Sequence, residues 1–171
     1  MAKRSDFTRR AADAYLTWDP RAVHALLPHL APGTHFAEPC AGEGHLVAQL
    51  ADAGHICTHM SDLATGIDAL SLGPLGLVIT NPPWTRTVLH SLIEHWLTDG
   101  CWLLFDADWA HTKQSAPYLP YCTDIVSVGR LRWIEGSTMD GKDNCCWYGS
   151  HWTGMAALGS TEGLDALVSL G

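Results

Sequence analysis

The most specific chemistry in the sequence belongs to the tetrapeptide Asn81-Pro82-Pro83-Trp84, which directly follows a short apolar run at residues 75–80. Two successive prolines cannot continue a β-ladder, so the backbone leaves the sheet there with free carbonyl groups. The Asn81 side-chain oxygen and the Pro82 carbonyl can both accept from one amino group, and Trp84 offers a face for a planar group. The tetrapeptide therefore predicts a site for the amino group of a planar molecule. A proline-rich turn beside a core tryptophan is the alternative.

A second candidate site is the glycine-rich stretch at residues 38–46, which lies between a predicted strand and a predicted helix. In an open parallel sheet, ligands bind outside the carboxyl ends of the strands, and Gly42 and Gly44 let the backbone approach a ligand closely. Val47 occupies the third glycine position of the dinucleotide-binding pattern, and the stretch lacks the Lys followed by Ser or Thr of a phosphate-binding loop. Its two glutamates instead suit a ligand with a cationic end.

Two aspartates follow the next predicted strand. Asp62 comes at the end of that strand, where a carboxylate can accept hydrogen bonds from both hydroxyls of a ribose. Asp68 falls on a third strand end or in a loop, where it could accept from an exocyclic amino group. A loop cap or a solvated turn residue is the better explanation of each aspartate when it is taken alone. Their order after the glycine-rich stretch favours the ribose role for Asp62 and leaves the two interpretations of Asp68 balanced.

Hydrophobic patterns predict the elements that must position these residues. Apolar residues recur at helical spacing in three segments, at residues 20–30, 46–50 and 88–97. Short apolar runs between the helices predict four strands, at residues 34–37, 55–60, 75–80 and 101–105. Strands that alternate with helices predict an α/β fold, with a mostly parallel central sheet and helices on both faces.

The last third of the chain has a different pattern. Residues 124–134 are rich in Val and Ile, residues 144–152 are rich in aromatic side chains, and residues 136–142 between them are typical of a turn or loop. These segments predict an antiparallel C-terminal hairpin at the edge of the sheet. The tail from Gly159 predicts a short terminal helix.

The composition predicts one domain over residues 1–171, with no membrane association. The chain is 47% hydrophobic and 16% charged, and no run approaches the ~20 apolar residues of a membrane span. The net charge of −8 argues against a general polyanion-binding surface. Residues 1–21, however, hold five Lys and Arg against three Asp, which makes a basic arm of +2 and leaves −10 for the remainder. The arm lacks the apolar core of a signal peptide, so we expect a cytoplasmic protein.

The six cysteines predict free thiols and no metal site. They show no regular disulfide spacing and no C-x-x-C pair. Cys145 and Cys146 point to opposite faces if they lie on a strand, which disfavours joint metal ligation.

Together these motifs resemble the class I S-adenosylmethionine-dependent methyltransferases, and within them the amino-group methyltransferases. These carry a tetrapeptide of Asp, Asn or Ser, two prolines and an aromatic residue, which Asn81-Pro82-Pro83-Trp84 matches in full. Residues 38–44 match the cofactor loop of the family in type and order. Residues 14–20 resemble the segment that covers the cofactor in DNA-modifying members, with Trp18 where many relatives have proline.

The order of cover segment, cofactor loop and tetrapeptide is that of the adenine-N6 group. The resemblance covers about residues 13–152 and is closest to the small phage and prophage DNA N6-adenine methyltransferases. The further segments that match are residues 105–111, 129–134 and 141–144 and Trp147.

The resemblance implies a Rossmann-like class I methyltransferase fold and transfer of a methyl group from S-adenosylmethionine to the N6 amino group of adenine in DNA. Asn81, Pro82, Pro83 and Trp84 would carry catalysis. The residues expected to bind the cofactor are Tyr15, Thr17, Glu38, Pro39, Cys40, Ala41, Gly42, Gly44, Asp62, Asp68 and Asn81. Those expected to bind the substrate, with its adenine extruded from the base stack, are Trp84, Asp106, Lys113, Arg130, Arg132 and Lys142.

Relatives that read a specific sequence usually carry a recognition region after the tetrapeptide, whereas here only residues 110–123 and 135–143 are free. We therefore expect a short or relaxed sequence preference. The same tetrapeptide serves enzymes that methylate RNA bases or a protein glutamine amide, which is the alternative activity. A non-catalytic S-adenosylmethionine-binding subunit is a second alternative, disfavoured by the intact tetrapeptide.

Overall fold

The structure is a computed structural model that describes residues 15–97 and 99–150. Its α-helices are α1 (Pro20–Leu26), α2 (His45–Asp52) and α3 (Arg86–Trp96). Its strands are β1 (His35–Glu38), β2 (Ile56–Met60), β3 (Val78–Thr80), β4 (Cys101–Asp106), β5 (Asp124–Arg130) and β6 (Asn144–Ser150). The helix predicted from Gly159 and most of the basic arm lie outside the described residues. Within the described ranges, no helix combines the length and the apolar character needed to cross a membrane.

A single six-stranded sheet in the order β2-β1-β3-β4-β6-β5 forms the centre of the protein. Strands β2, β1, β3 and β4 are mutually parallel, and β6 lies antiparallel between β4 and β5. The chain passes from β1 to β2 on one side and to β3 on the other. In sheets of this kind the carboxyl ends of the strands at such a switch point form the ligand-binding crevice. The predicted α/β fold with an antiparallel C-terminal hairpin is confirmed.

Both faces of the sheet are apolar, which explains why helices cover both. Alternate residues of β4 point to opposite faces: Trp102 and Leu104 pack with α1 and α2, whereas Leu103 packs with α3. The buried indole N–H of Trp147 donates to the carbonyl of Ala22 at 2.8 Å, which joins β6 to α1. The core therefore fixes the helices relative to the strand ends that they connect.

The cysteine pair on β6 follows the same alternation. Cys145 packs in the core beneath α1 and α2, and Cys146 packs in the core beneath α3. The prediction that the two thiols point to opposite faces is confirmed.

Three predicted elements are clearly shorter in the structure. The strand predicted over residues 75–80 begins only at Val78. The first helix changes to a 3₁₀ turn (Leu27–His29) after Leu26, since Pro28 lacks the N–H group that an α-helix needs. The strand predicted over residues 124–134 ends at Arg130. There the chain turns inward, because Leu131 is fully buried and the next backbone N–H bonds to a carboxylate of the segment before α1.

The segment between β2 and β3 contains no strand and forms two 3₁₀ turns instead, Leu63–Thr65 and Ala69–Ser71. Asp68 precedes the second turn and caps it. Of the two positions predicted for Asp68, a strand end or a loop, the loop is therefore correct.

Candidate active site

The carboxyl ends of β1 and β3 bring the two sequence motifs together. Glu38 ends β1, Asn81 directly follows β3, and the two strands are neighbours in the sheet. A cavity of about 270 Å³ opens at this edge, lined by Tyr15, Leu16, Cys40, Gly42, Asp62, Asn81, Pro82, Pro83, Trp84 and Thr85. The cover segment, the glycine-rich loop, Asp62 and the tetrapeptide thus face one common space.

The glycine-rich loop has a conformation that few other residues could adopt. Gly42 and Gly44 have φ angles of 53° and 81°, in the left-handed region that favours glycine. A Cβ atom added to Gly42 would also lie 2.8 Å from the side chain of Leu16. The cover segment and the loop are therefore in direct contact, which requires glycine at position 42.

Three carboxylates gather around the loop. Burial, together with the nearby charges of Glu38, Asp62 and Asp68, raises the pKa of the Cys40 thiol to about 12. Glu38 is itself buried and accepts hydrogen bonds from the Thr80 hydroxyl and, at 3.0 Å, from the backbone N–H of Cys40. Burial raises the pKa of Glu38 to about 8, although both hydrogen bonds oppose this shift. This part of the cavity disfavours additional negative charge and suits a cationic group.

Asp62 links the loop to the segment after β2. Its Oδ2 accepts from the backbone N–H of Gly42 at 2.9 Å, and its Oδ1 accepts from the N–H of Ala64 at 2.8 Å. Asp62 is therefore both a loop cap and part of the cavity wall. Asp68 accepts from the N–H of Leu70 at 3.0 Å and does not line the 270 Å³ cavity.

The Asn81 amide is oriented by the cover segment. Its Nδ2 donates to the Tyr15 carbonyl at 2.7 Å and to the Thr17 hydroxyl at 3.0 Å. With both amide hydrogens used, Oδ1 faces the other way and accepts from the Trp84 indole at 3.1 Å. Gln49 of α2 holds the cover segment by donating to the Thr17 carbonyl at 2.8 Å. The acceptor oxygen that the sequence predicted is thus fixed in place.

Trp84 belongs to an aromatic cluster with Tyr15 and Trp133. The Tyr15 ring stacks on Trp84 with centroids 5.1 Å apart and 20° between the planes, and Trp133 meets Trp84 edge-on at 5.5 Å. The Trp84 N–H also donates to the Leu104 carbonyl at 3.2 Å. Tyr15 therefore covers one face of the Trp84 ring, because two stacked rings exclude water from the faces that meet. The sequence predicted that a face of Trp84 would be available to a planar group. A base that uses this face must displace Tyr15.

Asp106, predicted on the substrate side, is engaged within the protein. It ends β4, accepts from the backbone N–H of Asp108 at 2.9 Å, and pairs with the Arg86 guanidinium at 3.0 Å. These contacts are those of a cap for the 3₁₀ turn that contains Trp109. A substrate contact by Asp106 stays a prediction.

A cluster of four charges ties the cover segment to the connection between β5 and β6, residues 131–143, here called the β5–β6 loop. Arg21 lies 2.6 Å from both Asp19 and Asp140, and Arg132 lies 3.7 Å from Asp19 and 3.9 Å from Asp140. Burial alone would raise the pKa of Asp19, but hydrogen bonds from the two arginines lower it to about 2. Arg132, predicted to contact phosphate, is thus paired with carboxylates.

Most of the cationic side chains of the described residues lie near the carboxyl edge of the sheet, where the 270 Å³ cavity opens. Asp106 at the end of β4 pairs with Cys145, and Arg130 at the end of β5 pairs with Asn144, so the β5–β6 loop lies at this edge as well. All Lys and Arg within residues 15–97 and 99–150 follow these strand ends or contact this loop: Arg21, Arg86, Lys113, Arg130, Arg132 and Lys142. The opposite edge carries Asp99 and Asp124. These cations lie among carboxylates of the same edge, such as Asp62, Asp106 and Asp140.

Several residues of this site were not predicted. The cover segment depends on two of them, since Leu16 contacts the glycine-rich loop and Gln49 binds the Thr17 carbonyl. The hydroxyl of Thr80 donates to Glu38, and Trp133 packs edge-on against Trp84. Thr80 precedes the tetrapeptide, and Trp133 lies in a segment that the resemblance included, which are weak signals. Gln49 had none, since its role depends on a contact with residues 31 and 32 positions earlier in the chain.

The sequence matches no protein-family profile and no curated protein. Solved structures do share the fold. The fold matches a dimethyladenosine transferase from Plasmodium falciparum with a TM-score of 0.53 and 12% identity, over 80% of this chain and 62% of that chain. It also matches the 23S rRNA methyltransferase ErmE with a TM-score of 0.51 and 13% identity, over 88% of this chain and 73% of that chain. The fold is therefore the Rossmann-like fold of methyltransferases, and the chain spans less than two thirds of the Plasmodium protein.

Proposed function

We propose that this protein transfers the methyl group of S-adenosylmethionine to the N6 amino group of adenine in DNA. The observation that carries the proposal is the single cavity shared by Gly42, Asp62 and the tetrapeptide at the switch point of the sheet. This arrangement brings a site for a ribose and a cation next to acceptors for an amino group.

The acidic part of the cavity fits the cofactor in charge and in shape. Asp62 and Asp68 provide negative charge near Cys40, and a bound sulfonium or ammonium group would favour ionisation of the buried Glu38 as well. Gly42 and Gly44 leave backbone within reach of a ligand, and Asp62 would accept from the ribose hydroxyls while it retains its bond to the loop. When bound, S-adenosylmethionine supplies an activated methyl group, whose bond to sulfur breaks as the bond to nitrogen forms.

The tetrapeptide fits the other reactant. An exocyclic arylamine is a weak nucleophile because its lone pair is delocalised into the ring. Asn81 Oδ1 and the Pro82 carbonyl would accept both amino hydrogens, which favours a tetrahedral nitrogen with its lone pair directed at the methyl group. An amide oxygen has two lone pairs, and Trp84 retains Leu104 as an acceptor, so Asn81 can accept from the amine without stranding the indole.

The cationic edge supports a nucleic-acid substrate. Arg130 is exposed there, Lys113 is exposed after β4, and no ion pair within the described residues involves either. Such side chains bind phosphates without reading bases. We therefore expect salt-sensitive binding with a short or relaxed sequence preference.

The test is incubation of the purified protein with labelled S-adenosylmethionine and separate pools of duplex DNA, single-stranded DNA, RNA and protein, followed by nucleoside and amino-acid analysis. The proposal expects N6-methyladenine in DNA. Methylcytosine would contradict the base assignment, and label confined to RNA or to protein glutamine would contradict the substrate. No transfer to any pool, together with intact cofactor binding, would favour a non-catalytic subunit.

A further inference from the structure

The most exposed large apolar side chains of the described residues include two that share one loop at the carboxyl edge of the sheet. Met139 is 78% exposed and Ile134 is 71% exposed. Both lie in the tip of the β5–β6 loop, residues 134–139, where a turn bond joins the Ser137 N–H to the Ile134 carbonyl at 3.0 Å. Single exposed apolar side chains are common on protein surfaces, so what distinguishes this pair is that both lie in one short loop next to the candidate active site.

The base of this loop is held firmly, in contrast to its exposed tip. Leu131 is fully buried, and its carbonyl accepts from the Gly141 N–H at 2.7 Å. The Trp133 ring lies so close to Gly141 that a Cβ atom there would be 2.7 Å from it. Asp140 is bound by Arg21 at 2.6 Å. The base of the loop is therefore held by the rest of the protein, while Ile134 and Met139 at its tip are exposed to solvent.

The tip is continuous with the candidate active site. Trp133 precedes Ile134 and contacts the rings of both Trp84 and Tyr15, with centroids 5.5 Å and 5.1 Å away. Two exposed cations lie on either side of the tip, Arg130 at the end of β5 and Lys142 within the loop. The loop also carries Glu135 and Asp143, while Asp140 is neutralised by its arginine partners.

We infer that the tip of the β5–β6 loop enters the base stack of duplex DNA beside the target adenine, with Ile134 and Met139 as the inserted wedge. This inference rests on the proposed function. Apolar side chains of this kind separate base steps in other proteins, and a base that reacts at its amino group must leave the stack. The flanking cations match the phosphates on either side of the opened step.

The test compares the double variant Ile134→Ala/Met139→Ala with the matched control Ile56→Ala/Ile125→Ala. The control residues are 49% and 51% exposed and lie at the opposite edge of the sheet. Each protein is assayed on a duplex with an adenine that the wild type methylates, and on the same duplex with an abasic site opposite that adenine. We expect the wedge variant to lose about tenfold in kcat/KM on the paired duplex and less than about threefold on the unpaired one. The control should keep the wild-type values on both.

A second readout does not depend on methyl transfer. A duplex with 2-aminopurine at the target position becomes fluorescent when that base leaves the stack, so the wild type and the control should raise its fluorescence and the wedge variant should not. Equal losses of the wedge variant on both duplexes, or an undiminished fluorescence rise, would overturn the inference. A wild-type protein that methylates no DNA adenine would instead contradict the proposed function itself.

Discussion

The two parts of the cavity differ in how their functional groups are held. Around the glycine-rich loop, carboxylates bind backbone N–H groups close by in the chain, such as Glu38 to Cys40 and Asp62 to Ala64, each two positions apart. Around the tetrapeptide, Asn81 binds the carbonyl of Tyr15 from 66 positions away, and Arg132 binds Asp19 from 113 positions away. The acidic part thus combines local bonds with bonds over 20 positions, from Gly42 to Asp62, and 42 positions, from Thr80 to Glu38. The aromatic part depends on contacts between segments that lie still farther apart in the chain.

The largest expected effect is at the aromatic part. Replacing Asn81 by Ala removes the side-chain acceptor for the amine, and we expect kcat to fall by about 100-fold or more. Cofactor affinity should change by less than about threefold, because the carboxylates that face the cofactor are intact. Single-turnover methyl transfer and titration calorimetry measure the two quantities. Asn144→Ala, at the exposed start of β6, is the control. A kcat of Asn81→Ala within a few-fold of the wild-type value would rule out the arylamine mechanism.

The next effect distinguishes two carboxylates of the acidic part. Asp62→Ala removes a side chain that lines the cavity and binds Gly42, so we expect S-adenosylmethionine affinity to fall by about 1–3 kcal/mol. Asp68→Ala should weaken it less, since Asp68 does not line that cavity. Calorimetric titration of both folded variants checks the order. Equal affinities for Asp62→Ala and the wild type would remove Asp62 from the ribose role.

The buried carboxyl of Glu38 predicts a pH dependence of stability. Its pKa is raised from 4.5 to about 8, so between these values the folded state holds a proton that the unfolded state releases. Stability should therefore fall as the pH rises from about 4.5 to 8. Glu38→Gln should flatten this dependence and be more stable than the wild type at pH 8 by about 1–3 kcal/mol. Denaturant titrations at several pH values measure the free energy of unfolding, with Glu43→Gln, at an exposed residue, as the control. A pH profile of Glu38→Gln parallel to that of the wild type would contradict the raised pKa of Glu38.

The smallest effect concerns the orientation of Asn81. Thr17→Val removes one of the two bonds that hold the Asn81 amide, which is worth about 1 kcal/mol. We expect kcat to fall about fivefold while the cofactor dissociation constant stays the same. Thr17→Ser, which keeps the hydroxyl, should restore kcat. A loss that Ser does not rescue would indicate a packing role for Thr17 in place of a positioning role.

The fold was largely predictable because its signals are local. The apolar residues of α3 recur at helical spacing, and those of β4 form one short run, so each pattern is buried in only one kind of element. The start of α1 at Asp19-Pro20 was also predicted. The prediction was wrong where a distant partner decided the outcome. The strand expected to reach residue 134 stops at Arg130 because Leu131 enters the core and Asp19 takes the N–H of the following residue.

By itself, the sequence determined which groups meet at the switch point of the sheet. Glu38, Gly42, Asp62 and Asn81 each follow a strand, and parallel strands place their carboxyl ends at one edge. Only the tertiary structure decided how these groups are arranged toward one another. It placed Tyr15 over Trp84, bound the Asn81 amide to the cover segment and supported the β5–β6 loop with Trp133. The physical reason is that these contacts join residues far apart in the chain, whose meeting depends on packing and has no local pattern in the sequence.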